Sequence, residues 1–490
     1  MRRLAAPVLA ALALLVLVPA AALAGSRFYV RGAGYGHGVG MSQYGAYGYA
    51  LHGKDFRWIL RHYYQGTDLS PTSTSTGTGV RVLLQQARAV AFSGAEHAGE
   101  KALDPARRYV ARASAPGEVS VEDDSGREVA RLPAPLRVSG AGALRLGGRA
   151  LNGVSSGRYR GALVLSPRGS GLAAINVLGI DDYVRGVVGG EMPSSWAAEA
   201  LKVQAVAARS YALSSGAGRE LYPDTRSQVY QGVAAEVPST DAAVRATRGL
   251  VVTYRGALVT TFFFSTSGGR TENVENSFLG STPEPYLRSV VDQYDSLSSL
   301  HRWGPYGMSL DAAGAKLRGL VRGSFRGIRV TRRGRSPRIV SALVLGSRGN
   351  TRVSGPTLRQ RFGLYDTWAY FTTVSAGARP PSSTPPASGG SSSTGGGASP
   401  ASASALARAV NLVTTTLSTP PARAQVLEGA ISPAPRRGRV AVQRREGRGW
   451  RRVSTLRLGR GGTYRVRERT PGRYRVVYAR MASPDVDLGG

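Results

Sequence analysis

The middle of the chain alternates short apolar runs with polar turns. Between residues 79 and 176 the runs VRVLLQ, RYVARAS, REVARL and ALVLS are separated by Gly, Pro and Asp. Short runs rich in β-branched residues and bounded by turn-forming residues are typical of strands. This part of the chain is therefore predicted to be mostly sheet.

A short strand followed by a long helix is predicted next. Residues 183–188 are apolar and predict a β run, which Gly189 and Gly190 end. Pro193 and the two serines after it open a helix over residues 195–213. A stripe typical of a core-facing helix lies on one of its faces and consists of Trp196, Ala200, Val203, Ala207 and Tyr211.

The rest of the chain before residue 375 mixes strands with shorter helices. Asp55 is a suitable cap for an aromatic-rich helix in the run DFRWILRHYY. The runs GLVVTYRG and ALVTTFFFST predict strands. Further helices are predicted near residues 242–247 and at 309–319, and further strands at 326–331 and 339–345. The fold class is therefore α+β and rich in strands.

The C-terminal part begins with a change of composition. Residues 375–404 are almost entirely Ser, Gly, Pro, Thr and Ala, which predicts a flexible linker. Residues 405–490 contain the alternating runs RVAVQRR, WRRVSTLRL, TYRVRER and RYRVVYA, which predict a separate, small immunoglobulin-like β-sandwich. Residues 436–480 hold sixteen arginines, and this module is either an anchor for acidic wall polymer or a soluble spacer.

The N-terminal segment indicates an exported protein. Residues 1–24 have two early arginines, an apolar run and an Ala-Leu-Ala end, the pattern of a secretory signal peptide. An uncleaved anchor helix is the alternative, although the apolar run is near the short limit for a membrane span. The chain has no cysteine, so its stability outside the membrane rests on its core.

The net charge of +34 predicts an anionic environment. For an exported protein, anionic cell-wall polymers or lipid head groups are better partners than nucleic acid, for which no motif is present. Solvated arginines without any partner are the alternative. The sequence leaves the oligomeric state open.

Glu191 is the main candidate for chemistry, because it is predicted on the turn between the strand and the helix. A carboxyl group held on a loop between two rigid elements suits acid/base work. An ordinary charge at a helix N-terminus is the alternative. Such a position stabilises the ionised form, whereas burial against Trp196 acts in the opposite direction.

Two glycine-rich segments supply candidate substrate contacts. In GYGHGVGMSQYGA, bare backbone surrounds His37 and Gln43, and in STSGG the hydroxyls of Ser265 and Ser267 flank paired glycines. A structural histidine and a plain turn are the alternatives. None of the five histidines pairs with another ligand at a metal-motif spacing, so no metal site and no cofactor are predicted.

The run GVVGGEMPSSWAAEALKVQAVAARSYAL resembles the signature of the SpoIID/LytB family of sporulation-stage cell-wall proteins and amidase enhancers. The segments GYGHGVGMSQYGA, FFFSTSGGRTENVENSFLG, PYLRSVVD and SGPTLRQRFGL agree with it, so the resemblance spans residues 28–371. It implies a SpoIID-like catalytic domain over residues 25–374, with the GHGVGMSQ motif in residues 25–70. In the family this motif usually comes near the end of the domain, so the order here is permuted and its place beside Glu191 is inferred.

The resemblance implies that Glu191 is the single catalytic residue of a secreted lytic transglycosylase, which cleaves the MurNAc-GlcNAc bond of peptidoglycan glycan strands and leaves 1,6-anhydroMurNAc ends. Arg209 and Tyr211 are candidates to orient the substrate, although helical spacing favours a structural role for Tyr211. Some members carry a zinc-associated cysteine segment, and the matching PDTRSQVYQG contains no cysteine, so no zinc is expected.

Two alternatives to this mechanism stay open. Asp181, Asp182 and Glu199 keep hydrolysis with a second acid possible. The amidase-enhancer branch of the family suggests a non-catalytic wall-binding protein that stimulates another hydrolase.

Overall fold

A computed structural model describes residues 25–72, 79–114, 116–216, 218–379, 425–435 and 437–488. The predicted signal peptide lies outside these ranges, as does most of the predicted linker. Within the described ranges, no helix has the length and hydropathy that a membrane span requires.

The N-terminal segment places the glycine-rich motif between a strand and a helix. The N–H of Trp58 donates to the Asp55 carboxylate at 2.8 Å, so the predicted cap and its helix are confirmed. The elements of this segment are β1 (Ser26–Gly32), β2 (Met41–Ser42), α1 (Gln43–Leu51), α2 (Phe56–Tyr63) and β3 (Asp68–Pro71).

The strand-rich region predicted for residues 79–176 is confirmed. Its strands form two six-stranded sheets, and inward residues such as Val90 and Phe92 alternate with partly exposed alanines. The strands are β4 (Val80–Ala87), β5 (Ala89–Ser93), β6 (His97–Ala98), β7 (Lys101–Ala102), β8 (Arg108–Ala113), β9 (Glu118–Glu122), β10 (Glu128–Pro133), β11 (Leu136–Ser139), β12 (Leu144–Leu146), β13 (Arg158–Tyr159), β14 (Ala162–Arg168) and β15 (Gly171–Leu178). The two strand orders are β10-β9-β8-β5-β12-β13 and β4-β15-β14-β11-β6-β7.

The next region is mixed and contains the long predicted helix. That helix begins three residues later than predicted, and the helices expected near 242–247 and at 309–319 are also present. The elements are α3 (Ile180–Glu191), α4 (Ala198–Ser215), α5 (Pro238–Ala246), β16 (Leu250–Tyr254), β17 (Ala257–Leu258), β18 (Phe263–Phe264), α6 (Val274–Ser277), β19 (Trp303–Ser309), α7 (Leu310–Lys316), β20 (Phe325–Arg333), β21 (Ile339–Gly346), β22 (Gly349–Ser354), α8 (Gly355–Phe362) and β23 (Ala369–Arg379).

The predicted strand at residues 183–188 is wrong, because these residues lie inside helix α3. Gly189 and Gly190 do not break the backbone there. A Cβ atom on Gly189 would collide with the carbonyl of Ala235, and one on Gly190 would lie 2.7 Å from the carbonyl of Val229. The glycines therefore let the backbone of residues 229–235 lie directly against the helix.

The C-terminal strands share a sheet with the first strand of the chain. Strand β24 pairs antiparallel with β23, which in turn pairs with β1. The five-stranded sheet β19-β1-β23-β24-β27 faces a second sheet, β26-β25-β28-β29, to which β30 is added on β28. The strands are β24 (Gln425–Ser432), β25 (Arg439–Glu446), β26 (Gly449–Arg457), β27 (Thr463–Glu468), β28 (Gly472–Tyr478), β29 (Met481–Ala482) and β30 (Val486–Leu488).

The core between these two sheets also joins both ends of the chain. It contains Tyr29 and Val374 together with C-terminal residues such as Leu427, Val442 and Val476. The C-terminal strands are thus not packed as a separate unit. Residues 375–379, assigned to the linker by composition, continue strand β23. The immunoglobulin-like topology stays a prediction.

Candidate active site

Glu191 is the last residue of helix α3 and is half-buried. The sequence predicted it at the N-terminal side of a helix, whereas it lies at a C-terminal end, seven positions before the first residue of α4. Since the C-terminal end of a helix carries partial negative charge, this position disfavours a carboxylate. The expected electrostatic conflict between burial and a helix N-terminus is therefore absent.

Two distant segments donate hydrogen bonds to Glu191. The N–H of Val229 donates to Oε1 at 2.6 Å. The amide Nε2 of Gln43 lies 3.4 Å from Oε2 and donates to the main-chain carbonyl of Glu191 at 3.1 Å. The structure thus brings the glycine-rich motif beside Glu191, the position that was inferred for it despite the permuted order of the motifs.

Burial raises the pKa of Glu191, and the hydrogen bonds from Val229 and Gln43 act in the opposite direction. Among the described residues, no carboxylate contributes to this shift. A carboxyl group in this environment stays protonated to higher pH than an ordinary glutamate, as a general acid requires.

The amide of Gln43 is oriented by its neighbours. Because the carbonyl of Glu191 only accepts hydrogen bonds, Gln43 presents its NH2 group there, and Gln204 accepts from the same nitrogen through Oε1 at 3.4 Å. Nε2 of Gln204 is then buried without a hydrogen-bond partner in the described part of the chain. An unpaired buried donor costs about 1–3 kcal/mol, so this arrangement is not explained by stability.

Local contacts hold Gln43 in place. Ser42 caps α1 by accepting the N–H of Gly45 at 3.2 Å, and the N–H of Tyr44 donates to the carbonyl of Ser265 at 3.0 Å. Strand β2 also pairs in parallel with β18. The glycine-rich motif and the STSGG turn are therefore joined at the start of α1.

An aromatic cluster, close along the chain to Gln43 and Glu191, was not predicted from the sequence. The rings of Tyr47 and Trp196 stack with centroids 4.5 Å apart and an angle of 8°, and Tyr44 meets Trp196 edge-on at 4.9 Å. All three side chains are partly exposed. Trp196 precedes α4 and is not part of its core stripe. The signal that would have found the cluster is the closeness of these residues along the chain to Gln43 and Glu191.

The contacts of His37 are with residues other than Glu191. Its Nδ1 accepts the N–H of Val39 at 3.1 Å, and its Nε2 lies 3.0 Å from the carbonyl of Phe263. The ring packs against Phe264 and Phe278 and lines a cavity of about 490 Å³. Burial lowers the pKa of His37 to about 4. With both ring nitrogens engaged, His37 fits the structural alternative.

The two serines of the STSGG turn differ. Ser267 is fully buried, and its hydroxyl donates to Asp295 at 2.8 Å and accepts the N–H of Gly269 at 3.0 Å. This favours the plain-turn interpretation for Ser267. Ser265 is partly exposed, and its carbonyl anchors Tyr44.

Arg209 and Tyr211 also have different environments. Arg209 is fully buried, where its guanidinium donates to Asp181 at 2.8 and 3.0 Å and to the carbonyl of Leu250 at 3.2 Å. It has no surface to offer a substrate. Tyr211 is partly exposed, and its pKa is raised by burial, with a further contribution from the charge of Glu191. Tyr211 is thus partly accessible, whereas Arg209 is not.

The other acids considered for hydrolysis are held elsewhere. Asp181 pairs with Arg209, and Asp182 lies 3.6 Å from Arg185. Glu199 accepts the N–H of Phe56 at 2.8 Å and pairs with a lysine one turn later in α4. Each carboxylate is therefore tied to partners other than Glu191.

The segment that matches the zinc-associated motif is held without metal ligands. Arg226 pairs with Asp224 at 2.7 Å and lies 3.9 Å above the ring of Tyr222, and Ser227 accepts the N–H of Tyr222. A guanidinium and a hydroxyl do not fit a zinc site. In the described ranges, no group of three or more metal-ligating side chains is arranged to hold an ion.

A model of a known protein family matches the part of the chain that contains this site. A model of the SpoIID family, described as stage II sporulation protein, matches residues 168–254, which include α3, Glu191 and α4. This segment of the chain is therefore similar to the SpoIID family. The family assignment made from the sequence motifs is thus confirmed. The motifs around His37 and at residues 262–280 and 354–364 lie outside the matched SpoIID segment.

Three relatives of the SpoIID segment illustrate its range. The amidase enhancer of Bacillus subtilis (strain 168) is 40% identical over 112 residues, which cover 23% of this chain and 15% of that protein. Stage II sporulation protein D of the same strain is 34% identical over 144 residues, or 25% and 41% of the two chains. An uncharacterized protein of Brachyspira hyodysenteriae is 37% identical over 149 residues, or 29% and 39%. The matches thus span less than half of each relative's length.

Proposed function

We propose that this protein is a lytic transglycosylase that cleaves the glycan strands of peptidoglycan outside the cell. Similarity to the SpoIID family supports a function in the cell wall. The observation that carries the enzymatic proposal is the environment of Glu191, a partly exposed carboxyl group whose pKa is raised by burial and which two segments hold by hydrogen bonds.

The mechanism uses the carboxyl group of Glu191 twice. In its protonated form it donates a proton to the glycosidic oxygen between MurNAc and GlcNAc, and the C1–O bond breaks as an oxocarbenium-like transition state develops. The resulting carboxylate then accepts the proton of the MurNAc 6-hydroxyl while O6 bonds to C1. The product is a 1,6-anhydro sugar, and Glu191 is protonated again.

An internal hydroxyl nucleophile agrees with the charges around the site. Hydrolysis by the usual route needs a second carboxylate, to activate water or to form a covalent intermediate. The three acids that the sequence offered for this role, Asp181, Asp182 and Glu199, are engaged with other partners. This favours the transglycosylase over a hydrolase.

The aromatic cluster beside Glu191 gives the proposal a place for the sugar. The side chains of Tyr44, Tyr47 and Trp196 are partly exposed, and these residues lie within five positions of Gln43 or Glu191 along the chain. Aromatic rings offer apolar faces while their polar edges remain wet, which suits a carbohydrate. We expect a glycan residue to pack on these rings.

One other function has a specific observation in its favour. The relative named amidase enhancer is 40% identical over its matched segment. On that basis, the alternative is a wall-binding protein without catalysis that stimulates another hydrolase.

Mass spectrometry of glycan strands separates these possibilities. Strands with and without stem peptides are incubated with the wild type, with Glu191→Gln and with the matched control Glu199→Gln. We expect the wild type and the control to release products one water lighter than reducing-end sugars, and Glu191→Gln to bind the strands without cleaving them. Products with reducing ends would indicate a hydrolase, and no cleavage by the wild type would indicate the stimulating role.

A further inference from the structure

One face of the C-terminal sheet is covered by arginines. In β25, residues Val440 and Val442 point into the core, so the alternate residues Arg439, Gln443 and Arg445 point outward. Their partners on the neighbouring strands share that face. These pairs are Arg439 with Arg457, Gln443 with Arg452, Gln443 with Arg475, and Arg445 with Trp450.

We call this surface the arginine face and define it by Arg439, Arg445, Arg452, Arg457, Arg473 and Arg475, the last two alternating on β28. Neighbouring strands lie about 4.8 Å apart, and alternate residues of a strand about 6.6 Å apart. Six guanidinium groups are therefore concentrated within a few square nanometres.

The charges of the arginine face are only partly balanced inside the protein, where Asp487 lies opposite Arg473 on the neighbouring strand β30. None of its six arginines forms an ion pair among the described residues. Two of the module's acids pair with other arginines, since Glu446 holds Arg444 and Arg451 at 2.8 and 2.7 Å, and Glu428 lies 3.6 Å from Arg465. The arginine face therefore concentrates positive charge that has no ion-pair partner. Such a surface is suited to binding an external polyanion.

Two of these arginines are held in place by one indole ring. The guanidinium of Arg475 lies 4.3 Å from the centroid of Trp450, and that of Arg445 lies 5.7 Å from it. The Nε–H of Arg475 also donates to Gln443 at 2.8 Å. These contacts reduce the conformational freedom that the arginines would lose on binding an anion.

We infer that the arginine face is a binding site for a linear polyanion of the cell wall with repeating phosphate groups, such as a poly(glycerol phosphate). Arginine binds phosphate through paired N–H donors, and a row of arginines along strands matches a repeating chain of charges. Single-stranded nucleic acid requires exposed aromatic rings for base stacking, whereas the ring of Trp450 is occupied by two guanidinium groups. This inference does not depend on the chemistry of Glu191.

The test compares two variants that lose the same charge. The first is Arg445→Gln, Arg452→Gln, Arg475→Gln, which removes half of the arginine face. The matched control is Arg444→Gln, Arg451→Gln, Arg465→Gln, which removes three arginines that already have carboxylate partners. Binding of the full chain to purified poly(glycerol phosphate), and to single-stranded DNA of equal charge, is measured between about 50 and 300 mM salt. Over this range the Debye length shortens somewhat more than twofold.

We expect the first variant to bind poly(glycerol phosphate) about 10- to 100-fold more weakly than the wild type, with a smaller salt dependence, and the control to change little. Equal weakening of both variants would show that total charge, and not the arginine face, determines binding and would overturn the inference. Tighter binding of DNA than of poly(glycerol phosphate) by the wild type would overturn it in favour of nucleic acid. Circular dichroism confirms that both variants are folded, and glycan cleavage by the first variant at unchanged rate separates this site from Glu191.

Discussion

At the scale of single residues, the chemistry of Glu191 depends on groups that are far from it in sequence. Gln43 is 148 positions away and Val229 is 38 positions away, yet both donate hydrogen bonds to the same side chain. Burial is the largest influence on its pKa, and the hydrogen bonds reduce the shift. A single glutamate therefore becomes a candidate acid only through the arrangement of three segments.

A second acid, close to the glycine-rich motif, leads to a prediction about the pH dependence of stability. Asp292 is fully buried, and the hydroxyls of Ser42, Tyr63 and Ser267 near its carboxylate only partly offset the effect of burial on its pKa. Burial and the charge of Asp295 raise its pKa from 3.8 to about 7. The folded state therefore binds a proton more tightly than the unfolded state between these pH values, and this contribution to stability is lost as pH rises from about 4 to 7.

Asp292→Asn should remove that loss. We expect the variant to be more stable than the wild type by about 2–4 kcal/mol at pH 8, with the difference vanishing towards pH 4, as measured by urea unfolding. His37 has a lowered pKa and contributes the opposite slope to both proteins, so the comparison must be between variant and wild type.

Asp295→Asn is the matched control, because the carboxylate of Asp295 accepts hydrogen bonds from Ser267, Gly268 and Gly269. We expect this second variant to be less stable than the wild type. If Asp292→Asn is also less stable at every pH, then the hydroxyls of Ser42, Tyr63 and Ser267 stabilise the charged form of Asp292 more than burial disfavours it.

At the scale of elements, the contact between α3 and α4 includes an ion pair whose arginine is fully buried. Arg209 of α4 is fully buried against Asp181 of α3, while the same carboxylate lies 3.5 Å from Arg248, whose side chain is 73% exposed. Removal of one partner from a buried pair leaves an uncompensated charge, whereas an exposed pair contributes little.

Substitution of these two arginines should therefore lower the free energy of unfolding by different amounts. We expect Arg209→Met to lower the free energy of unfolding by about 3 kcal/mol, and Arg248→Met by less than about 1 kcal/mol, in urea unfolding followed by circular dichroism. Folded Arg209→Met should retain the KM of the wild type for glycan strands. A raised KM in that variant, with stability unchanged, would show that Arg209 orients the substrate after all.

Helix α3 shows why an element was predicted incorrectly. The run YVRGVV contains three β-branched residues followed by two glycines, a composition that favours a strand and a turn. In the structure the glycines form the surface on which the backbone of residues 229–235 lies, and that contact stabilises the helix. Tertiary packing thus overrides the local preference, and the same contact places the N–H of Val229 on Glu191.

At the scale of the whole molecule, strands from both ends of the described chain pack around one core. The hydroxyl of Tyr29 accepts the N–H of Ala482 at 3.0 Å, and the hydroxyl of Tyr464 donates to the carbonyl of Ser375 at 2.5 Å. A chain that ends at residue 379 would expose one edge of β23 and the core side chains Tyr29 and Val374.

Calorimetry tests this arrangement. We expect the chain from residue 25 to 490 to unfold the five-stranded sheet and the C-terminal strands in one transition, and the chain ending at residue 379 to melt several degrees lower or to aggregate. A single substitution in the longer chain, Tyr29→Ala, serves as a control. Because Tyr29 lies in the shared core, this variant should lower the melting temperature of that transition. A separate transition for the C-terminal strands, absent from the shorter chain without other change, would support the independent domain that composition predicted.

The sequence by itself determined the features that depend on local pattern. These are the strand-rich middle of the chain, the capped helix after Asp55, the long helix that begins at Ala198, and the family motif around Glu191. Each depends on periodicity, capping or a contiguous motif, and these act between residues that are close in the chain.

Only the tertiary structure decided which segments meet. It placed Gln43 rather than His37 on Glu191, buried Arg209 and Ser267, turned a predicted strand into α3, and joined β24 to β23. The physical reason is that burial, pairing of charges and sheet formation between distant strands depend on the positions of groups in space. A pattern of neighbouring residues does not contain those positions.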